Sequence, residues 1–122
     1  MKKIVLVTLA TFFIVASCSK SGDDPGGGGG GGGSTTNCSG VPAAFAANVN
    51  PIIQSTCATD ATCHGSGSAN GPGPLLSYTQ IFNARVTIKT AVANGTMPKT
   101  GTLTTAQKNS IICWIDNGAL NN

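Results

Sequence analysis

Charge is scarce in this chain. Asp, Glu, Lys and Arg make up 9% of its 122 residues, and the formal net charge is +3. Two of the positive charges, Lys2 and Lys3, sit at the extreme N-terminus; from Cys18 onward five basic side chains face four acids, leaving +1. Lys20, Arg85, Lys89, Lys99 and Lys108 are too few and too scattered for the concentrated basic face that nucleic acid demands. Asp23, Asp24, Asp60 and Asp116 offer no paired-carboxylate site. There is one histidine, His64, and after Met1 one methionine, Met97. No stretch alternates as a strand and no internal repeat is visible. The run Gly26 to Gly33 lacks the lysine and the flanking strand of a phosphate loop.

The longest apolar run is also short. Ile4 to Ala16 spans thirteen residues behind Lys2 and Lys3, which suits the hydrophobic region of an export signal and not a bilayer-spanning helix. It ends in Val15, Ala16, Ser17, Cys18, a run that resembles the lipobox of bacterial lipoproteins. That resemblance implies a signal peptide over 1–17 and a lipid on Cys18, and so a membrane anchor. Ser19 stands where an inner-membrane retention signal would have Asp, and Lys20 to Asp24 resembles the acid-containing tether of surface lipoproteins. An outer-membrane lipoprotein, facing the periplasm or the cell surface, is the expected location. Pro25 and eight glycines then make a tether over 18–37 that has no means of burying apolar surface. Gly-rich scaling gives those ~20 residues a root-mean-square reach of about 25 Å.

The folded part is expected over 38–122, about 85 residues, and its class is all-α. Asn50 and Pro51 read as the cap and first position of a short helix from Pro51 to about Cys57, after a loose turn over Ala43 to Asn48. Gly65 to Pro74 reads as an irregular loop. Ser77 and Gln80 form a capping box for a helix carrying Ile81 and Phe82, and a separate helix is expected from about Arg85 to Asn94, stopped by Gly95. Thr104 and Gln107 form a second capping box. Ile111, Ile112, Trp114 and Ile115 supply the apolar face of that last helix, and Gly118 ends it.

Four short helices make a thin core, and domains of this size often need a staple or a cofactor. Cys57 and Cys63 followed at once by His64 present two thiols and an imidazole in the order used for c-type haem attachment, although five residues separate the thiols where two are usual. A haem would fill the middle, with Phe45, Ile53, Leu75, Tyr78, Ile88, Val92, Ile111 and Trp114 as pocket candidates; for each one alone, an ordinary core position is the simpler reading. If Cys57 and Cys63 carry haem, Cys38 and Cys113 are left to form a disulfide. The competing pattern bridges Cys57 to Cys63 and needs no haem. Met97, between a helix end and Pro98, is the available second axial ligand, and His/Met ligation favours electron transfer over oxygen chemistry. With His64 committed in this way, no Ser-His-Asp set can be assembled, so an enzyme is not expected.

Asn50 to Ile53 ahead of Cys57, the Cys63, His64, Gly65 trio, Tyr78, the Gly95 to Pro98 loop and the ending Cys113 to Ala119 resemble a single-domain class I cytochrome c, above all lipoprotein-anchored bacterial forms. The resemblance covers about Val49 to Asn122. It implies haem c held by Cys57 and Cys63, iron bound by His64 and Met97, and a last helix packed on the first. The function implied is electron transfer by a monohaem carrier to a redox partner in the cell envelope. Two other readings stay open: a copper site from Cys63, His64 and Met97, and a disulfide-stapled surface binding module without cofactor. Arg85 and Lys89, four apart on one helix, are docking candidates for an acidic partner, with a merely solvated face as the plainer alternative.

Overall fold

The structure, a computed structural model, describes residues 36–122. The signal peptide expected over 1–17, Cys18 with its expected lipid, and the glycine run of the expected tether lie outside the described residues. Among the described residues there is no strand, and no helix is long and apolar enough to cross a membrane. A π-helical turn at Phe45–Val49 leads into α1 (Asn50–Thr56), followed by α2 (Tyr78–Ala93) and α3 (Thr105–Asp116).

The entrance to α1 departs from expectation. Asn50 is not its cap: Val49 holds that position, and the Asn50 side chain instead accepts a hydrogen bond from Gln54 Nε2 at 3.1 Å. Pro51 has no N–H to give back to residue 47, so the regular i to i−4 ladder cannot run through it. The chain ahead of it widens, with Val49 N–H donating to Ala44 O and Asn50 N–H to Phe45 O. The result seats Phe45, Val49 and Ile53 in the core. The backbone donors of this first turn that lack a helical partner are capped from far away, since Phe45 N–H donates to Asn122 Oδ1 at 2.8 Å and Ala46 N–H to Asn122 O at 2.7 Å.

Both capping boxes form as the sequence requires. Ser77 Oγ accepts from Gln80 N–H while Gln80 Oε1 accepts from Ser77 N–H, and Thr104 and Gln107 exchange the same pair. The two helices expected between Ser77 and Asn94 are one continuous α2. No glycine or proline interrupts Asn83 and Ala84, Ala84 is buried in the core, and Arg85 folds back across the presumed break. Its guanidinium lies 4.0 Å from the Phe82 ring centroid and donates to Phe82 O at 2.7 Å.

The helices close on their own side chains. Phe45, Tyr78 and Trp114 stack at centroid separations of 5.0 to 6.5 Å, with Phe82 against Tyr78 at 5.6 Å. Ile53, Ile81, Ile111 and Val49 fill the space beside them. Tyr78 OH donates to Ala119 O and Trp114 Nε1 to Leu120 O, holding the end of the chain over the aromatic group. Cys38 and Cys113 are disulfide-bonded, with Cα atoms 5.4 Å apart. Lys89 pairs with Asp116, which ties α2 to α3, and Arg85 folds on Phe82.

Candidate functional site

The residues that bring chemistry to this chain lie on loops at one side of the helical core. Cys57 is the C-cap residue of α1, and the chain from it to His64 is a closed turn organised by Asp60. The Asp60 carboxylate accepts from the Thr62 hydroxyl at 2.6 Å, from Thr62 N–H at 2.8 Å and from Cys63 N–H at 3.1 Å. These bonds, the Thr62 hydroxyl first and then the two backbone N–H groups, hold its pKa below the usual carboxylate value. The Asp60 carbonyl also accepts from Gly65 N–H at 2.7 Å. A Cβ on residue 65 would lie 2.7 to 2.8 Å from the Asp60 backbone, so glycine is the residue that fits there.

His64 is 8% exposed, and its orientation is specific. Its N–H donates to Cys57 O at 2.9 Å and its carbonyl accepts from Leu75 N–H at 2.8 Å. The ring Nδ1 lies 3.1 Å from Gly73 O. A carbonyl can only accept, so Nδ1 carries the proton, and the neutral tautomer that fits this bond has its lone pair on Nε2. The loop over 65–74, irregular as expected, is thereby more than a spacer: it supplies the acceptor that sets the tautomer. Gln54 Nε2 to Leu75 O and Asn70 Nδ2 to Thr62 O fasten that loop to α1 and to the cysteine turn.

Met97 arrives from the far end of α2. Gly95 takes a left-handed φ of 67°, its N–H donates to Val92 O, and Thr96 N–H donates to Ala91 O, the paired bonds of a Schellman stop. Met97 N–H also reaches Ala91 O at 3.3 Å, which fixes the backbone from which the sulfur projects.

All four sequence-nominated residues, Cys57, Cys63, His64 and Met97, line one cleft of about 400 Å³. An adjoining compartment of about 130 Å³ shares Cys57, His64 and Met97 and is walled by Leu75, Ile88, Ala91 and Val92. Together they are of the size and character of small-molecule sites. Of the eight nominated pocket residues, Leu75, Ile88 and Val92 line this space; Phe45, Ile53, Tyr78, Ile111 and Trp114 belong to the core. The aromatic and aliphatic side chains of the helices pack on one another beside this space. Lys99, in the sequence only one of the scattered basic residues, lines both compartments; nothing but its place two residues after Met97 marks it for the site.

Cys57 and Cys63 are both free thiols, so the Cys57–Cys63 bridge of the competing pattern is not formed. Burial pushes the Cys57 thiol up from its ordinary pKa, and the neighbouring Cys63 adds to the rise. No three His, Cys, Asp or Glu side chains converge on one metal position among the described residues. The thiols and the imidazole share a wall without sharing a centre. Compared with protein-family models, with curated proteins and with solved structures, the chain finds no match in any of the three.

Proposed function

We propose that the domain is a monohaem c-type cytochrome that carries electrons in the cell envelope, anchored to the outer membrane through a lipid on Cys18. One observation carries the reading. The sole histidine is buried with Nδ1 donating to the Gly73 carbonyl and Nε2 carrying the lone pair, on a cleft whose wall also bears two unbridged thiols and the Met97 thioether. The spread of these groups favours a flat cofactor gripped at its rim and its centre; a bare ion would need its ligands gathered at about 2 Å from one point.

Bound there, haem supplies an iron that cycles between Fe(III) and Fe(II). The chain's own groups decide how. Gly73 O holds the proton on His64 Nδ1 and strengthens the Nε2 lone pair. Cys57 and Cys63 offer the attaching sulfurs. Met97 would offer a soft thioether ligand, which would raise the potential. Leu75, Ile88, Ala91 and Val92 keep water from one side of the cleft and lower the local dielectric. No group of the cleft is needed as acid, base or nucleophile toward a substrate; the partner implied is another redox protein of the envelope.

Expression of the full chain with a cytochrome maturation system tests this. A Soret band, a pyridine haemochrome spectrum and a haem-sized mass increment on the peptide containing 57–64 are expected. A folded but colourless protein would support the cofactor-free binding module, and a thiolate-to-copper charge-transfer band after copper loading would support the copper site.

A further inference from the structure

The turn between the two cysteines bears on the attachment that the proposed function requires. In a C-x-x-C-H segment wound as one helical turn, the histidine N–H would reach the carbonyl of the first cysteine, four residues back. Here His64 N–H makes that closing bond to Cys57 O at 2.9 Å across seven residues. The three additional residues therefore do not spread the ends of the segment. They are folded out as a side loop whose neck is pinned on the Asp60 carboxylate by Thr62 N–H, the Thr62 hydroxyl and Cys63 N–H. From the other side, Gly65 packs on the Asp60 backbone and donates to its carbonyl at 2.7 Å. Cys63 N–H bonds both the carboxylate and the carbonyl of Asp60, so the second thiol is carried by the residue directly tied to the pin.

We infer that Asp60 is a positioning residue: its turn gives the C-x5-C-H segment the end-to-end register of a short haem-attachment motif, so that both Cys57 and Cys63 form thioethers. The inference rests on the haem reading. In each attachment the thiol adds across a vinyl group: the S–H bond breaks, an S–C bond forms, and the hydrogen ends on the adjacent vinyl carbon. No oxidant or reductant is consumed. The thiols must enter unbridged, as they are here.

The test compares wild type, Asp60→Ala, Asp60→Asn and a deletion of residues 59–61, which leaves Cys57, Ala58, Thr62, Cys63, His64. Each is matured with haem, and the cysteines still open to alkylation are mapped by mass spectrometry. Wild type, Asp60→Asn, which keeps an Oδ1 acceptor, and the deletion are expected to leave neither Cys57 nor Cys63 alkylated. Asp60→Ala is expected to leave Cys57 alkylated in half or more of the haem-bearing molecules. Double attachment unchanged in Asp60→Ala, or Cys57 left free in the deletion, would overturn the inference. A colourless wild type would instead remove the haem reading. In that case the register is read on the cofactor-free protein with phenylarsine oxide, whose arsenic bridges two nearby thiols. Binding at least tenfold weaker in Asp60→Ala than in wild type and the deletion sustains the role of Asp60, and equal binding refutes it.

Discussion

At the scale of single residues, His64 and Gly65 show how much of the site is set by neighbours. The imidazole is aimed by a carbonyl nine residues away, and the glycine beside it exists because the Asp60 backbone leaves no room for a methyl group. Gly65→Ala should therefore destabilise the cysteine turn by about 1 to 3 kcal/mol, the usual cost of overpacking, measured by urea denaturation. Asp60 adds a pH dependence whose sign is fixed. Its folded-state pKa lies below the unfolded value, so its bonds stabilise the turn above about pH 4 and are lost as the pH falls through the lowered folded value. The stability difference between wild type and Asp60→Asn should then shrink as the pH is taken below about 4. Cys57, its thiol pushed up by burial, should react with iodoacetamide more slowly at pH 8 than an unburied cysteine in the cofactor-free protein.

At the scale of elements, the ends of the helices were legible in the sequence. Ser77 with Gln80 and Thr104 with Gln107 announce helix starts, because a short polar oxygen and an amide three residues on satisfy each other's backbone donors. Gly95 and Gly118 announce stops, because only glycine enters the left-handed region without cost. The unity of α2 was open to view in the lack of any glycine or proline between Tyr78 and Ala93, and the Arg85 guanidinium lying on the Phe82 ring adds to it. The π-turn before α1 was hidden. Asn50 and Pro51 have the look of a cap, and what overrules them is the burial of Phe45 and Val49 together with donors satisfied by Asn122. The four residues nominated from their chemistry do come to line one cleft. Lys99 and the Gly73 carbonyl were not legible, because their roles come from where loops cross. Gly95→Ala should cost about 1 kcal/mol and displace Met97; in a haem-bearing protein, loss of the sulfur-to-iron absorption in the oxidised form would register the displacement.

At the scale of the whole molecule, the cleft lies beside a core that is closed without it. Phe45, Trp114 and the isoleucines around them are buried against one another with Tyr78 half-buried at their edge, while the cleft is built from the turn after α1, the loop over 65–74 and the stop of α2. The cofactor-free protein is accordingly expected to keep its helical circular dichroism and a cooperative melt. The disulfide contributes to that independence by closing a 75-residue separation, for which the chain-entropy model gives about 4 kcal/mol. Replacing Cys38 and Cys113 with serine should lower the melting temperature by well over 10 °C on the usual size scaling.

The same cross-link sets how the domain bears load. A pull on the chain ahead of Cys38 passes through sulfur directly into α3, the helix that packs against both α2 and the π-turn, and so bypasses residues 39–112. Tension applied there therefore meets the middle of the bundle at once instead of peeling it from one end.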